Sequence, residues 1–557
     1  MFRDRKKNIQ GDSQEGTIED PPAYDEESKA TPHEIIVTQQ QDDGLFTLGN
    51  LGLIIVPAIA MSSNIMLRSI QYQFFTMYLG ASGNLHSYVA GVTSVSQSLY
   101  VLYAILSDGV PVFGRKRLPY QIFAWVLFII TCIVLIAIPL PPPRNIFSDD
   151  PNITCLDEFF QRLREPDFRS ATTYRDWGML YLILFAFCEI FLTSVGATAN
   201  GLVVHWSKKR PVKERGKLQG FIIIFAAILN AINYSIIGFG LNWYKYAGGW
   251  CTGVTITFIF WYQLGLGVVG LLSTIFLTTE KKQNLPRRPL HFLKSFWKSL
   301  HMISLQKLMI FIFFASGFQL VNSPADSLIS EYWVKMESAV GTWSGIISEI
   351  LSAVLIGLFN AFIVNCNWRY LLLASQGICT AINFTLTNLA IFNILRNQYL
   401  YTPDSMFKNV NQNLYIVLLL IFGMEYTEEG FEASFVSILT LTLDEGSAFF
   451  SSIAVLIAAP FDVSTASRYL GDTRTDQWLV AAQCLIFFGL NFLGLLSVIW
   501  LMPRNKSHCQ ELKETTNHSA VFAYVCVFAI IGFIAFNAST SVWLHIVVAA
   551  IEKHLSF

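Results

Sequence analysis

Residues 107–140 read SDGVPVFGRKRLPYQIFAWVLFIITCIVLIAIPL. From Leu118 to Leu140 the run holds no charged side chain. That exceeds the about 20 apolar residues a helix needs to cross a hydrocarbon core of about 30 Å. Before it, Asp108, Gly109, Gly114 and the triplet Arg115, Lys116, Arg117 crowd into one short stretch, and residues 86–107 are again largely apolar. The segment reads as two membrane-crossing helices joined by a tight basic turn.

Working outward, the same alternation recurs. Spans are predicted at 47–79, 86–107, 119–140, 178–203, 218–240, 254–278, 308–331, 342–364, 370–394, 413–443, 447–467 and 477–502. A further apolar stretch, 520–550, reads as a thirteenth crossing or a re-entrant segment. Composition agrees. Of 557 residues, 53% are hydrophobic and 14% charged, whereas soluble domains carry roughly a quarter charged residues. Soluble enzymes, disordered proteins and small secreted domains are therefore excluded. The 38 Lys and Arg balance 39 Asp and Glu, so a nucleic-acid partner has no electrostatic support. Nine cysteines without a CxxC or HExxH pattern point to no metal site, and no Walker A sequence points to ATP-driven pumping. No cofactor is expected.

The expected organisation is a polar tail (1–45), a first six-helix half (46–278), a basic linker (279–307), a second half (308–502) and a C-terminal segment with an extra apolar helix (503–557). The tail has the composition of a disordered segment. It lacks the apolar core of a cleavable signal, so the first helix is expected to direct insertion. Two six-helix halves around a midplane cavity are the architecture of many secondary transporters. The loops following even-numbered spans carry twenty Lys and Arg, against eleven in the opposite loops. The positive-inside rule then places the tail and the linker in the cytosol. Asn152-Ile153-Thr154 is a glycosylation sequon on the opposite side. Cys155 and Cys251, also on that side, are read either as a disulfide or as free thiols.

Ionisable side chains inside a bilayer cost at least about 2.5–3.5 kcal/mol at a helix centre, so each marks function or pairing. In the span 413–443, Glu425, Glu428, Glu429 and Glu432 follow a nearly apolar run at i, i+3, i+4 and i+7. On a continuous helix all four share one face near mid-span. Carboxylates so close cannot all ionise together in a low dielectric, which suits groups that load and unload protons. The alternatives are a break in the helix that puts the acids in an aqueous loop, and structural ion pairs. Arg68 is a candidate clamp for an anionic solute or a partner for a buried acid. Glu189 is a candidate proton relay. Asn230 and Asn233 either line a cavity or bond a neighbouring helix. Asp326 and Glu349 are expected near the outer ends of their spans, where solvated charges are cheap, and Asp462 completes the set. In the turn after the second span, Asp108 and the basic triplet read as a latch across a gate, or as plain topology signals.

That turn resembles the loop between helices two and three of the major facilitator superfamily, and SDGVPVFGRKRLPY resembles the version in the folate–biopterin transporter family. Three stretches add to the resemblance in order. They are Val203-Val204-His205 through Arg215-Gly216-Lys217-Leu218-Gln219; Asn367-Trp368-Arg369 with Ile391-Phe392 and Arg396-Asn397-Gln398-Tyr399; and Gly430-Phe431-Glu432-Ala433 running to Leu439-Thr440. Where that family has acids in helix four, this chain has Asn200 and His205. The resemblance implies an all-α, polytopic, major-facilitator-like fold and symport of a small polar organic solute such as a pteridine or S-adenosylmethionine, while proton coupling is expected from the four glutamates.

In the tail, Pro21-Pro22-Ala23-Tyr24 is a PPxY motif flanked by acids. Such a polyproline-II segment docks on WW domains. A WW-bearing ubiquitin ligase acting on Lys6, Lys7 or Lys29 is the expected partner; an unread linker is the other reading. The functional expectation is a plasma-membrane transporter. A transporter-like receptor and, less favoured, a membrane acyltransferase using His205 are the alternatives.

Overall fold

The computed structural model describes residues 48–79, 98–140, 172–212, 214–243, 250–282, 289–320, 323–363, 366–461, 466–515 and 517–555. The tail motif of Pro21, Pro22 and Tyr24, the sequon at Asn152, Cys155 and Asp462 lie outside the described residues.

The first half comprises α1 (Leu48–Gln71, prolonged by a π-helical turn Tyr72–Tyr78), α2 (98–109), α3 (Leu118–Ala137), α4 (Thr172–Lys208), α5 (Lys217–Ser235, prolonged by Ile236–Gly240) and α6 (Ile256–Phe276). The linker forms the amphipathic α7 (Pro289–Ser299). The second half comprises α8 (Ile303–Leu320), the short α9 (Ala325–Leu328, prolonged by Ile329–Trp333), α10 (Ser338–Leu358), α11 (Trp368–Ile391), α12 (Pro403–Tyr426), α13 (Glu432–Ala458) and α14 (Arg474–Leu501). Then come α15 (Lys506–Glu514) and α16 (Ala520–Leu555). The chain is an all-α polytopic membrane protein, and eight helices among the described residues are long and apolar enough to cross a bilayer.

The core pattern is that of a bundle in lipid. Small and aromatic residues face inward: Phe74 stacks on Phe185 at 5.7 Å and meets Phe260 edge-on, and Trp125 and Phe128 are fully buried. Leu, Ile and Phe face outward on α3, α6, α14 and α16, including Ile130, Phe276, Phe492 and Phe528. In water such faces would aggregate; against acyl chains they are solvated. The halves meet through α5 on α10 and α12, and through α4 on α12 and α13.

Two expectations are corrected here. The span 413–443 is not one helix. Helix α12 ends at Tyr426, Thr427 is extended, and Gly430 turns the chain with φ +93° before α13 starts at Glu432. The span 447–467 is likewise mis-cut, because Asp444 and Glu445 sit in the interior of α13 rather than in a loop. The stretch 520–550 is one continuous helix of 36 residues. At 1.5 Å per residue it spans roughly 54 Å, long enough to cross a bilayer. It docks on α8 and α13, with Phe533 stacked 4.5 Å from Phe313.

Candidate functional site

The turn after α2 is built first. Val112 and Arg115 exchange both backbone hydrogen bonds, at 2.9 and 3.0 Å, around Phe113 and Gly114. Both central residues have positive φ, 52° and 77°, the conformation that a two-residue primed turn requires and that glycine supplies without strain. Glu280, just after α6, accepts the backbone N–H groups of Lys116, Arg117 and Leu118 at 2.8–3.2 Å. It thereby caps α3, whose first donors would otherwise be orphaned. Gly109 lies against the Phe292 ring of α7. The geometry delivers Arg117 into the protein, while Lys116 reaches the Gly430 turn.

Arg117 then joins the two halves. Its Nε and Nη2 donate to Asp108 Oδ1 at 3.2 and 2.9 Å, and Nη2 donates to Glu432 Oε2 at 2.5 Å. The other Asp108 oxygen accepts the backbone N–H and the hydroxyl of Ser434 at 2.9 and 3.0 Å. An acid of the first half therefore caps the N-terminus of α13 in the second, where the helix dipole favours negative charge. His205 at the end of α4 places Nδ1 3.0 Å from Glu432 Oε1. Asp108, Arg117 and Glu432 are all buried.

A second tier surrounds this lock. Lys208 and Lys513 both donate to the Thr427 carbonyl. Arg215 approaches Glu425 at 3.6 Å, and Gln510 donates to the same carboxylate at 3.4 Å. Ser299 of α7 donates to Glu428 at 2.5 Å. Lys506 donates to the carbonyls of Val212 and Arg215, in the loop between α4 and α5. Burial pulls the Lys506 ammonium down to about 8, against the opposing pull of Glu425; burial also lowers Lys513. Helix α15 thus straps one half to the other.

The four glutamates of the sequence reading are consequently not on one face at mid-span. Glu425 ends α12, Glu428 reaches α7, Glu429 is exposed, and Glu432 opens α13. The helix breaks, and Glu425 and Glu432 are ion-paired, but both are buried rather than in an aqueous loop; an intervening left-handed glycine destroys the helical register on which the shared face depended.

Halfway along the helices lies a separate belt. Arg68 is exposed on α1, within electrostatic reach of Glu189 on α4 and Asp444 on α13. Gln71 donates to Glu189 at 3.0 Å. Glu349, expected near a span end, is instead buried in the middle of α10, surrounded by Asn230 of α5 and Asn409 and Asn413 of α12. Asn233 donates to Ser62 of α1 at 2.8 Å, so it is a helix-bonding residue. Asn200 is half-buried one turn before His205. Glu445 accepts from Ser98 of α2 at 3.0 Å and from Asn537 of α16 at 2.6 Å. Sequence reasoning missed Asp444, Glu445, Glu280 and the partner role of His205. Asp444 and Glu445 were hidden because two adjacent acids before a glycine mimic a loop.

At the far end, Lys408 bridges Asp404 and Asp326 at 3.0 and 3.4 Å. Arg396 clamps Asp472 through two bonds of 2.6 and 2.8 Å, which holds the Asp472 carboxyl below its ordinary range. Cys251 is disulfide-bonded.

No protein-family model matches the sequence, and no curated protein does. Among solved structures, the fold is similar to that of XylE, a proton:xylose symporter of the major facilitator superfamily. That match has TM-score 0.54 and 12% identity, and covers 84% of this chain and 98% of that one. A D-xylose-proton symporter matches with TM-score 0.52 and 13% identity, over 82% and 97% of the two chains. The chain has a major-facilitator-like fold.

Proposed function

We propose that the chain is a secondary transporter that moves a small polar organic solute by alternating access, its two halves rocking about a solute site at mid-depth. The observation that carries this reading is the Asp108–Arg117–Glu432 lock. It joins the halves at one end through charge-assisted bonds that must break and re-form together. The symporters that share the fold support the same reading, as does the resemblance to folate–biopterin transporters.

The lock is the cytosolic gate, with the tail and linker inside the cell and Asn152 outside, as the loop charges imply. Cys251 pairs with Cys155 on the outer face. The plasma membrane is the site of action, and the PPxY tail recruits a WW-domain ubiquitin ligase. Proton coupling, where it operates, belongs to Glu189, Glu349 and Asp444 rather than to the four glutamates around the gate. We read the chain as a transporter rather than an enzyme, because the solved structures that share its fold are symporters.

Uptake of radiolabelled pteridines, nucleosides and amino acids into proteoliposomes, with and without a pH gradient, tests the proposal. Accumulation of one class above protein-free vesicles is the expected result. Solute binding without flux in any condition would instead favour a receptor.

A further inference from the structure

We infer that the transported solute is a small organic cation, an ammonium or guanidinium carrying several N–H groups. The inference rests on the transporter reading and adds to it the charge of the cargo.

Charge balance at mid-depth is the first argument. Arg68 is matched by two acids, Glu189 and Asp444, both within its electrostatic reach. It therefore has no surplus charge with which to hold an anion. Glu349 has no ion pair among the described residues, although it is only 3% exposed. Glu445 is served by two neutral donors, Ser98 and Asn537. The belt thus holds four carboxylates against one guanidinium. A folate-like dianion would meet acids that outnumber the one guanidinium, whereas a cation entering the belt can pair with a carboxylate as it ionises.

The second argument is hydrogen-bond polarity. Around Glu349, the buried oxygens Glu349 Oε2, Asn230 Oδ1 and Ser352 Oγ have no hydrogen-bond partner among the described residues. Glu189 Oε2 is in the same position on α4. A carboxylate oxygen accepts and never donates while ionised. Buried acceptors left unmet are costly, and native proteins satisfy nearly all of them. Most of the unmet atoms are acceptors, with Asn413 Nδ2 an unmet donor beside Glu349, and an ammonium or guanidinium brings three to five N–H groups with the compensating charge. Glu349 on α10 is in contact with Asn230 on α5, so a cation bound against this pair touches both halves and can bias their rocking.

The test uses the full-length protein in nanodiscs and reads ligand-induced thermal stabilisation with agmatine, arginine, citrulline and folate. Agmatine or arginine should stabilise it at sub-millimolar concentration. Citrulline, nearly isosteric with arginine but lacking the guanidinium charge, should need at least tenfold more, and folate should have no effect. Glu349→Gln should weaken the cation response at least tenfold. Asn230→Ala should weaken it less, and it serves as the second variant should Glu349→Gln fail to fold. Stabilisation by folate, equal response to arginine and citrulline, or no response to either cation would overturn the inference. The two readings fail differently. Cation binding without flux in proteoliposomes would sink the transporter reading alone, and flux of folate without cation binding would sink this one alone.

Discussion

Arg117 and Glu432 are 315 residues apart in the chain, yet the guanidinium Nη2 lies 2.5 Å from the carboxylate Oε2 in a buried seam between the two halves. Removing either partner leaves the other charged and desolvated, at a cost of about 3–5 kcal/mol to the closed seam. Arg117→Ala should therefore loosen the start of α13, where the Ser434 N–H depends on Asp108 for its acceptor. We expect faster amide hydrogen exchange over 432–436, with the centres of α3 and α6 unchanged. The double variant with Glu432→Gln should lose less than the sum of the single variants, since the two residues act as one unit. Unaltered exchange in Arg117→Ala would remove the lock from the mechanism.

Arg68 makes a sharper test of the belt. If it serves to neutralise Glu189 and Asp444, its charge is dispensable once an acid is removed. Arg68→Gln should lower the unfolding midpoint in detergent, by the equivalent of about 1–2 kcal/mol because the side chain is exposed. Adding Glu189→Gln should restore much of that loss. No rescue would show that Arg68 does not serve to neutralise these acids.

The apolar runs were legible because lipid demands about 20 such residues per crossing, and the turn at Asp108–Arg117 was legible because its glycines and basic triplet are contiguous. The break at 427–431 was not, because Thr-Glu-Glu-Gly between two apolar runs counts equally well as an acidic stripe. The available signal was Gly430 two residues before an acid, a helix stop followed by a helix start. What no local pattern could supply was partnership: Asp108 with Ser434, Ser98 with Glu445 and His205 with Glu432 are products of tertiary packing. Residues of the second resembling stretch do have visible structural duties. Asn367 caps α11 through the Arg369 N–H, and Arg369 donates to the Met502 carbonyl.

Lys506 gives the strap a pH signature. Its folded pKa of about 8 lies below the ordinary 10.5 because burial penalises the ammonium. The unfolded chain therefore binds this proton more readily than the folded one between pH 8 and 10.5. Stability conferred through Lys506 rises across that window and is lost as the pH falls back through 8. Comparing wild type with Lys506→Met, the difference in thermal midpoint should shift in favour of the wild type from pH 8 to 10. A difference constant with pH would show that the side chain is solvated.

Helix α16 is held by more than greasy contact. Asn537 donates to Glu445 at 2.6 Å, while Ser98 of the first half donates to the other oxygen of the same carboxylate at 3.0 Å. When the halves rock, the Ser98 bond must break, because α2 and α13 belong to different bodies; the Asn537 bond need not, since α16 packs on α8 and α13 of the second half. Asn537 is then what keeps Glu445 satisfied in whichever state lacks Ser98. Asn537→Leu, similar in volume, removes that donor and should cost about 1–3 kcal/mol, chiefly in the opened conformation. In proteoliposomes this predicts a turnover lowered about tenfold or more with solute affinity nearly unchanged, whereas Ser98→Ala should penalise only the closed state and shift the conformational balance the other way. Equal effects from the two variants would mean that Glu445 does not change partners during transport.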